Sequence, residues 1–137
     1  MNDQQISDIL KQSKTIAVVG LSVDPAKASH EVASYLQSQG YEIVPVNPNA
    51  GNILGRAAHP DLRNLDGPVD IVDIFRRSEH VLEVVQQAVS IRPKLIWLQS
   101  GIVNDEAKRL AEQAGIPFVM DRCLKVEHRR LLGAVKI

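Results

Sequence analysis

The chain carries 137 residues, 45% of them hydrophobic and 23% charged, a mixture that builds a folded core and excludes disordered and fibrous classes. Its 16 basic and 16 acidic residues cancel, so the basic surplus that sequence-blind nucleic-acid binding requires is absent. One cysteine, Cys123, excludes an internal disulfide framework and any multi-cysteine zinc or iron–sulfur site.

The length suits a single domain over residues 1–137. The apolar runs are too short to span a bilayer, and MNDQQISDILKQSK lacks the apolar stretch of a secretory signal. A cytoplasmic protein that meets neither membrane nor nucleic acid is the expectation.

In chain order, Ile6, Ile9 and Leu10 suggest a leading helix, followed by the strand TIAVVG from Thr15 to Gly20. Ala28, Val32, Tyr35 and Leu36 share one helical face, and Gly40 stops that helix before the strand YEIVPV, Tyr41 to Val46. Residues 48–68, rich in Gly and Pro, read as a loop with one short helix. VDIVDIF (Val69 to Phe75) is a third strand, followed by a helical stripe of Val81, Leu82, Val85, Ala88 and Val89. KLIWLQ (Lys94 to Gln99) is a fourth. Asn104 then caps a helix with Asp105 and Glu106 in its first turn and Ala107, Leu110, Ala111 and Ala114 along one face. Gly115 ends it before the fifth strand, IPFVMD (Ile116 to Asp121), and Val126, Arg129 and Arg130 lie in a trailing helix. Several strands are apolar on consecutive residues, which implies burial on both faces and hence a parallel sheet. The alternation predicts a doubly wound α/β fold with five strands flanked by helices.

In such a sheet, ligands lie outside the carboxyl ends of the strands, where the winding reverses. The first strand exits into GLSVDPAKASH, where Gly20 permits a tight turn and backbone N–H groups with Ser22 and Ser29 suit a phosphate at the next helix start. Lys27 adds a mobile cation. The other exits are Pro45-Val46-Asn47-Pro48-Asn49, Phe75-Arg76-Arg77-Ser78 and Gln99-Ser100-Gly101-Ile102. Together they offer three cations, a phosphate-sized turn and an aromatic ring, the composition of a nucleotide or polyphosphate site. Phe75 also reads as a core residue. Arg76 and Arg77 at a helix start are mildly unfavourable, which favours a bound anion over a decorative pair.

The dinucleotide fingerprint is missing: only Gly20 is present, with Val23 and Pro25 nearby, and Asn47 stands where an NAD site wants an acid. No Gly-Lys-Ser/Thr motif makes a P-loop, and His30, His59, His80 and His128 show no metal-ligand spacing. Cys123 and His128 are a nucleophile–base pair or two core residues. From Arg122 onward, Arg122, Lys125, Arg129, Arg130 and Lys136 face Glu127 alone. This is a solvated helix face, or else a patch for a phosphorylated ligand or acidic partner. Asp121 is expected to pair with Arg122 or Arg129.

The strings TIAVVGLSVDPAKASHEVASYLQSQGYEIVPVNP, VDIVDIFRRSEHV, IWLQSGIVNDEA and VMDRCLKVEHRRL resemble the small stand-alone CoA-binding proteins. Those are similar to the amino-terminal CoA-binding domain of the succinyl-CoA synthetase alpha subunit. The resemblance runs from about Ile6 to Leu132 and implies a Rossmann-like five-stranded parallel sheet with coenzyme A, or an acyl-CoA, across its carboxyl edge. It places Gly20, Leu21, Ser22 and Lys27 at the CoA phosphates and Pro45, Val46, Asn47 and Pro48 beside the adenosine. It places Ile74, Phe75 and Arg76 at the third exit, and Gln99, Ser100 and Gly101 beside the pantetheine arm. An acid at position 47 would repel the 3′-phosphate of CoA, so Asn47 is consistent with the resemblance. The synthetase's phosphohistidine domain and its partner subunit have no counterpart within residues 1–137, so ligase activity does not carry over. The implied function is a carrier, sensor or regulatory module without catalytic residues. The alternatives are an enzyme acting on a CoA thioester through Cys123 and His128, or an NAD(P)-binding redox sensor. A homodimer or an unidentified protein partner stays open.

Overall fold

The computed structural model describes residues 1–133. Helix α1 (Asp3–Gln12) starts in a capping box: the Asn2 side chain accepts from the Gln5 N–H, and the Gln5 side chain accepts from the Asn2 N–H. Strand β1 (Thr15–Val19) leads to α2 (Ala28–Ser38) and β2 (Glu42–Val46). A small hairpin of β3 (Asn52–Ile53) and β4 (Arg56–Ala57) precedes β5 (Ile71–Ile74), α3 (Ser78–Ser90), β6 (Leu95–Leu98) and α4 (Asp105–Gln113). Strand β7 (Phe118–Val119) and α5 (Leu124–Leu131) complete the described chain. Among the described residues no helix is long and apolar enough to cross a membrane.

The five-stranded sheet has the order β2-β1-β5-β6-β7, and every pairing in it is parallel. Alternate residues of the strands feed two apolar layers, as consecutive side chains on a strand must. Ile16, Val18, Ile71, Leu95 and Trp97 pack with Ile6, Leu10, Val32, Leu36 and Leu124, so α1, α2 and α5 cover one face. Ala17, Val19, Val72, Ile74, Ile96 and Leu98 pack with Val81, Val85, Ala107 and Ala111, so α3 and α4 cover the other. The doubly wound sheet read from the apolar runs is therefore present, with its buried strands between two helical layers.

The crossover at residues 48–68 is a correction, because no helix forms there. Leu54 and Gly55, both with positive φ, turn the β3–β4 hairpin. The Gly/Pro-rich chain then finds its hydrogen-bond partners along the outer edge of β2: the His59 N–H donates to the Pro45 carbonyl, and the Asn47 N–H donates to the His59 carbonyl. Pro45 is tolerated in β2 because its missing N–H lies on that outer side. The fifth strand also shrinks from the expected 116–121 to Phe118–Val119. Its continuation leaves the sheet at Asp121, which adopts φ 61°.

The basic carboxyl-terminal stretch folds onto its own chain. Arg130 makes a two-pronged contact with Asp3 at 2.8 and 2.9 Å and donates to Glu127 at 2.6 Å. Lys125 pairs with Glu31 at 2.9 Å, Arg122 with Glu127 at 3.6 Å, and Arg129 lies over the Tyr35 ring. These partners fit the solvated-face reading rather than a phosphate patch. Lys136 lies outside the described residues.

Candidate functional site

The chain winds outward from β1 to β2, then returns past β1 to β5, β6 and β7, so the reversal falls between β1 and β5. Gly20 leaves β1 at this point with φ 83°, and its Cα faces the backbone of β5's exit. A Cβ there would lie 2.3 Å from the Phe75 carbonyl oxygen and 3.4 Å from the Arg76 side chain. Neighbouring backbone bonds fix that approach: the Gly20 N–H donates to Val46 O at 2.9 Å and the Phe75 N–H to Val19 O at 2.8 Å. Three strand exits are thereby held in one frame. Only glycine fits at its centre.

Beside this frame lies a cleft of about 340 Å³ that gathers Gly20, Val46, Asn47, Pro48 and Arg76 from three separate exits. Asn47 works as a brace. Its amide nitrogen donates to Leu21 O at 2.9 Å and its amide oxygen accepts from the Asn49 N–H at 2.8 Å, tying the β2 exit to the β1 loop. The other sequence-selected residues stand around the cleft or beneath it. Leu21, Pro45 and Ile74 are buried, so only their backbones support the exits, and Phe75 is half-buried against the α1–α2–α5 layer. Ser22 is tied into its own loop, its N–H donating to Ser29 Oγ and its Oγ accepting from the Asp24 N–H. Lys27, Ser100 and Gly101 are exposed.

Charge on this lip is uncommitted. Among the described residues Lys27, Arg76 and Arg77 take part in no ion pair. Lys27, Arg77 and Cys123 are the N-cap residues of α2, α3 and α5, and none supplies a side-chain cap. The α2 and α3 starts keep free N–H donors and the positive end of the dipole at the carboxyl edge, whereas the first N–H of α5 is spent on Gln99. By contrast, Asn104 caps α4 by accepting from the Ala107 N–H. The cleft also contains Asp61 and Glu83. Asp61 is neutralised by Arg63, whose guanidinium hydrogen bond holds its carboxyl below the usual range. Leu62 on the same wall is anchored to Gln87 of α3 at 3.3 Å. Sequence reasoning missed Pro60–Leu62, Glu83, Val84 and Gln87 as walls, because no local motif marks a loop that folds back along β2.

The VMDRC segment has a structural role as a clasp over the β6 exit. Asp121 accepts from the Gly101 N–H at 2.7 Å, Trp97 Nε1 donates to Arg122 O at 2.7 Å, and the Leu124 N–H donates to Gln99 Oε1 at 3.3 Å. The expected pairing of Asp121 with Arg122 or Arg129 is thus corrected, since a backbone N–H claims that carboxylate. Gln99, 4% exposed, spends its other end on Asp73, donating from Nε2 to Oδ1 at 2.5 Å. Asp73 is fully buried with Oδ2 unpartnered, and burial pushes its carboxyl up to about 7 against the opposing pull of Gln99. Cys123 is the N-cap of α5, with an extended backbone, and packs against the α1–α2–α5 layer, whereas His128 lies five residues further on, within the helix. His128 is 1% exposed, and its Nδ1 is bonded to the Tyr35 hydroxyl at 2.8 Å.

A family model described as a CoA binding domain matches residues 14–129. YneT of Bacillus subtilis is 44% identical over 124 residues, covering 90% of this chain and 92% of that protein. The structure of cell-free ID.343 from Thermus thermophilus is 46% identical with a TM-score of 0.93, covering 96% of this chain and 100% of that one. The ADP-forming acetate–CoA ligase II of Archaeoglobus fulgidus is 29% identical over 114 residues, 80% of this chain but only 17% of the ligase.

Proposed function

The chain belongs to the CoA-binding domain family, and from that premise we propose that it holds coenzyme A or an acyl-CoA across the carboxyl edge of the sheet, as a module that performs no chemistry on it. The observation that carries this reading is the uncommitted positive charge at the winding reversal. Lys27, Arg76 and Arg77 lack ion-pair partners among the described residues, and the α2 and α3 starts lack side-chain caps. A ligand with a diphosphate and a further phosphate supplies the missing anions. In this assignment the Gly20–Leu21–Ser22 loop and the α2 start meet the diphosphate through backbone N–H groups, with Lys27 as a mobile counter-charge. Pro45 to Pro48 border the adenosine. Ile74, Phe75 and Arg76 form the floor of the crossing. Gln99, Ser100 and Gly101 flank the pantetheine arm, Gln99 as a buried support rather than a direct contact.

The burial of His128, 1% exposed with its Nδ1 bonded to the Tyr35 hydroxyl, supports a binding role over thioester chemistry by Cys123 and His128. The bracing of Asn47, with no acid beside it on the β2 exit, supports a CoA over an NAD ligand.

The test is a set of melting curves with CoA, acetyl-CoA, NAD, NADP and ATP. A ligand that binds only the folded state at 100 times its Kd raises stability by about 2.7 kcal/mol. A rise with the CoA species alone, reduced in Arg76→Ala, is expected. A rise with NAD, or none with any of the five, overturns the reading.

A further inference from the structure

A second cavity of about 330 Å³ opens at the opposite edge of the sheet, between the end of α1, the α2–β2 turn and the last turn of α5. Its inner wall is apolar in effect. Leu10 and Leu132 are buried there, and the polar atoms beside them are already spent. The Tyr41 hydroxyl donates to Leu10 O at 2.6 Å, Ser13 Oγ donates to Ile9 O at 2.6 Å, and His128 Nδ1 is held by Tyr35. Gly40, at the mouth, has no described atom other than those of its chain neighbours within 4 Å of where a Cβ would stand.

Charge at this mouth is one-sided. Lys11 and Lys14 line it, both exposed and neither in an ion pair among the described residues. No carboxylate is among the described lining residues, whereas the cleft at the other edge contains Asp61 and Glu83. The carboxyl ends of α1, α2 and α5 place partial negative charge nearby, about three half-charges set against the two full positive charges of Lys11 and Lys14. The volume lies at the small end of ligand pockets.

From this arrangement we propose a second small-molecule site, which takes a monocarboxylate with a compact apolar or aromatic body. The body fills the Leu10–Tyr41–Leu132 wall, and the carboxylate stays at the mouth between Lys11 and Lys14. The site is separate from the carboxyl-edge lip and does not depend on the ligand proposed there.

The test uses 3-phenylpropionate against its neutral counterpart 3-phenylpropanol, followed by amide NMR shifts on the full chain. Saturable shifts centred on Gly40, Tyr41 and Leu132 are expected. Affinity should fall about tenfold or more for the alcohol, and likewise for the acid on a Lys11→Ala/Lys14→Ala variant, as loss of a charge-assisted contact predicts. Both lysines are exposed, so that variant keeps its fold. No saturable shift up to about 10 mM, equal binding of acid and alcohol, or shifts centred on Gly20, Asn47 and Arg76 instead would each overturn the proposal. So would Gly40 and Tyr41 amides that move on dilution without any probe, which would mean that a second copy of the chain covers this face. CoA binding is read at the lip residues, so failure there is seen separately.

Discussion

Replacing Asp73 by Asn tests whether the centre of the sheet stores a pH-dependent penalty. In the folded chain this carboxyl is pushed up to about 7, because burial strips its water and leaves Oδ2 without a partner. In the unfolded chain it returns to about 3.9. Below the lower value both states keep the proton and no penalty exists. Between the two values the unfolded chain releases the proton while the folded chain retains it, so stability falls as pH rises. Above about 7 the penalty is constant at about 4 kcal/mol. Asp73→Asn keeps the shape and accepts from Gln99 through its amide oxygen, but it never ionises. Its new amide donor carries a cost that is the same at every pH. Urea unfolding at about pH 5 and about pH 8 should therefore show the variant gaining about 2 to 3 kcal/mol on the parent between the two conditions. Other groups titrate alike in both proteins and cancel in the comparison. A difference that stays within about 0.5 kcal/mol across that range would show that Asp73 ionises freely in the fold.

Substitutions at three further positions separate crowding, backbone strain and hydrogen bonding. Gly20→Ala should cost more than about 2 kcal/mol and remove CoA-dependent stabilisation, since the added Cβ meets the Phe75 carbonyl at 2.3 Å. Gly40→Ala, with a similar positive φ but empty surroundings, should cost only about 1 to 2 kcal/mol, and equal losses would refute the crowding argument. At Asp121, glycine keeps the φ of 61° without strain and loses only the bond to Gly101, at about 1 kcal/mol. Alanine adds backbone strain of about 1 to 2 kcal/mol, so thermal unfolding should rank Ala below Gly. The reverse order would mean that the clasp does not depend on that conformation.

Local chemistry was enough to make much of this protein legible. Consecutive apolar residues in TIAVV and LIWL announced strands buried on both faces, since a parallel sheet offers no polar side. Asn104 and Gly115 marked the ends of α4, because capping is settled within a turn of chain. The strand exits were legible for the same reason: once the strands are parallel, their carboxyl ends share one edge, and Gly20, Asn47 and Arg76 must meet there. Tertiary structure decided what no local signal encodes. Residues 48–68 became a strap along β2 only because that edge had unpaired backbone groups to satisfy. Asp121 turned from a presumed ion-pair partner into a clasp because the turn after β6 brings the Gly101 N–H across some twenty residues of sequence to its carboxylate. Gln99 is tied down inside the sheet for a related reason. Its fate depended on an aspartate from the neighbouring strand and a helix start from the far end of the chain, and only the packing of the sheet brings the three together.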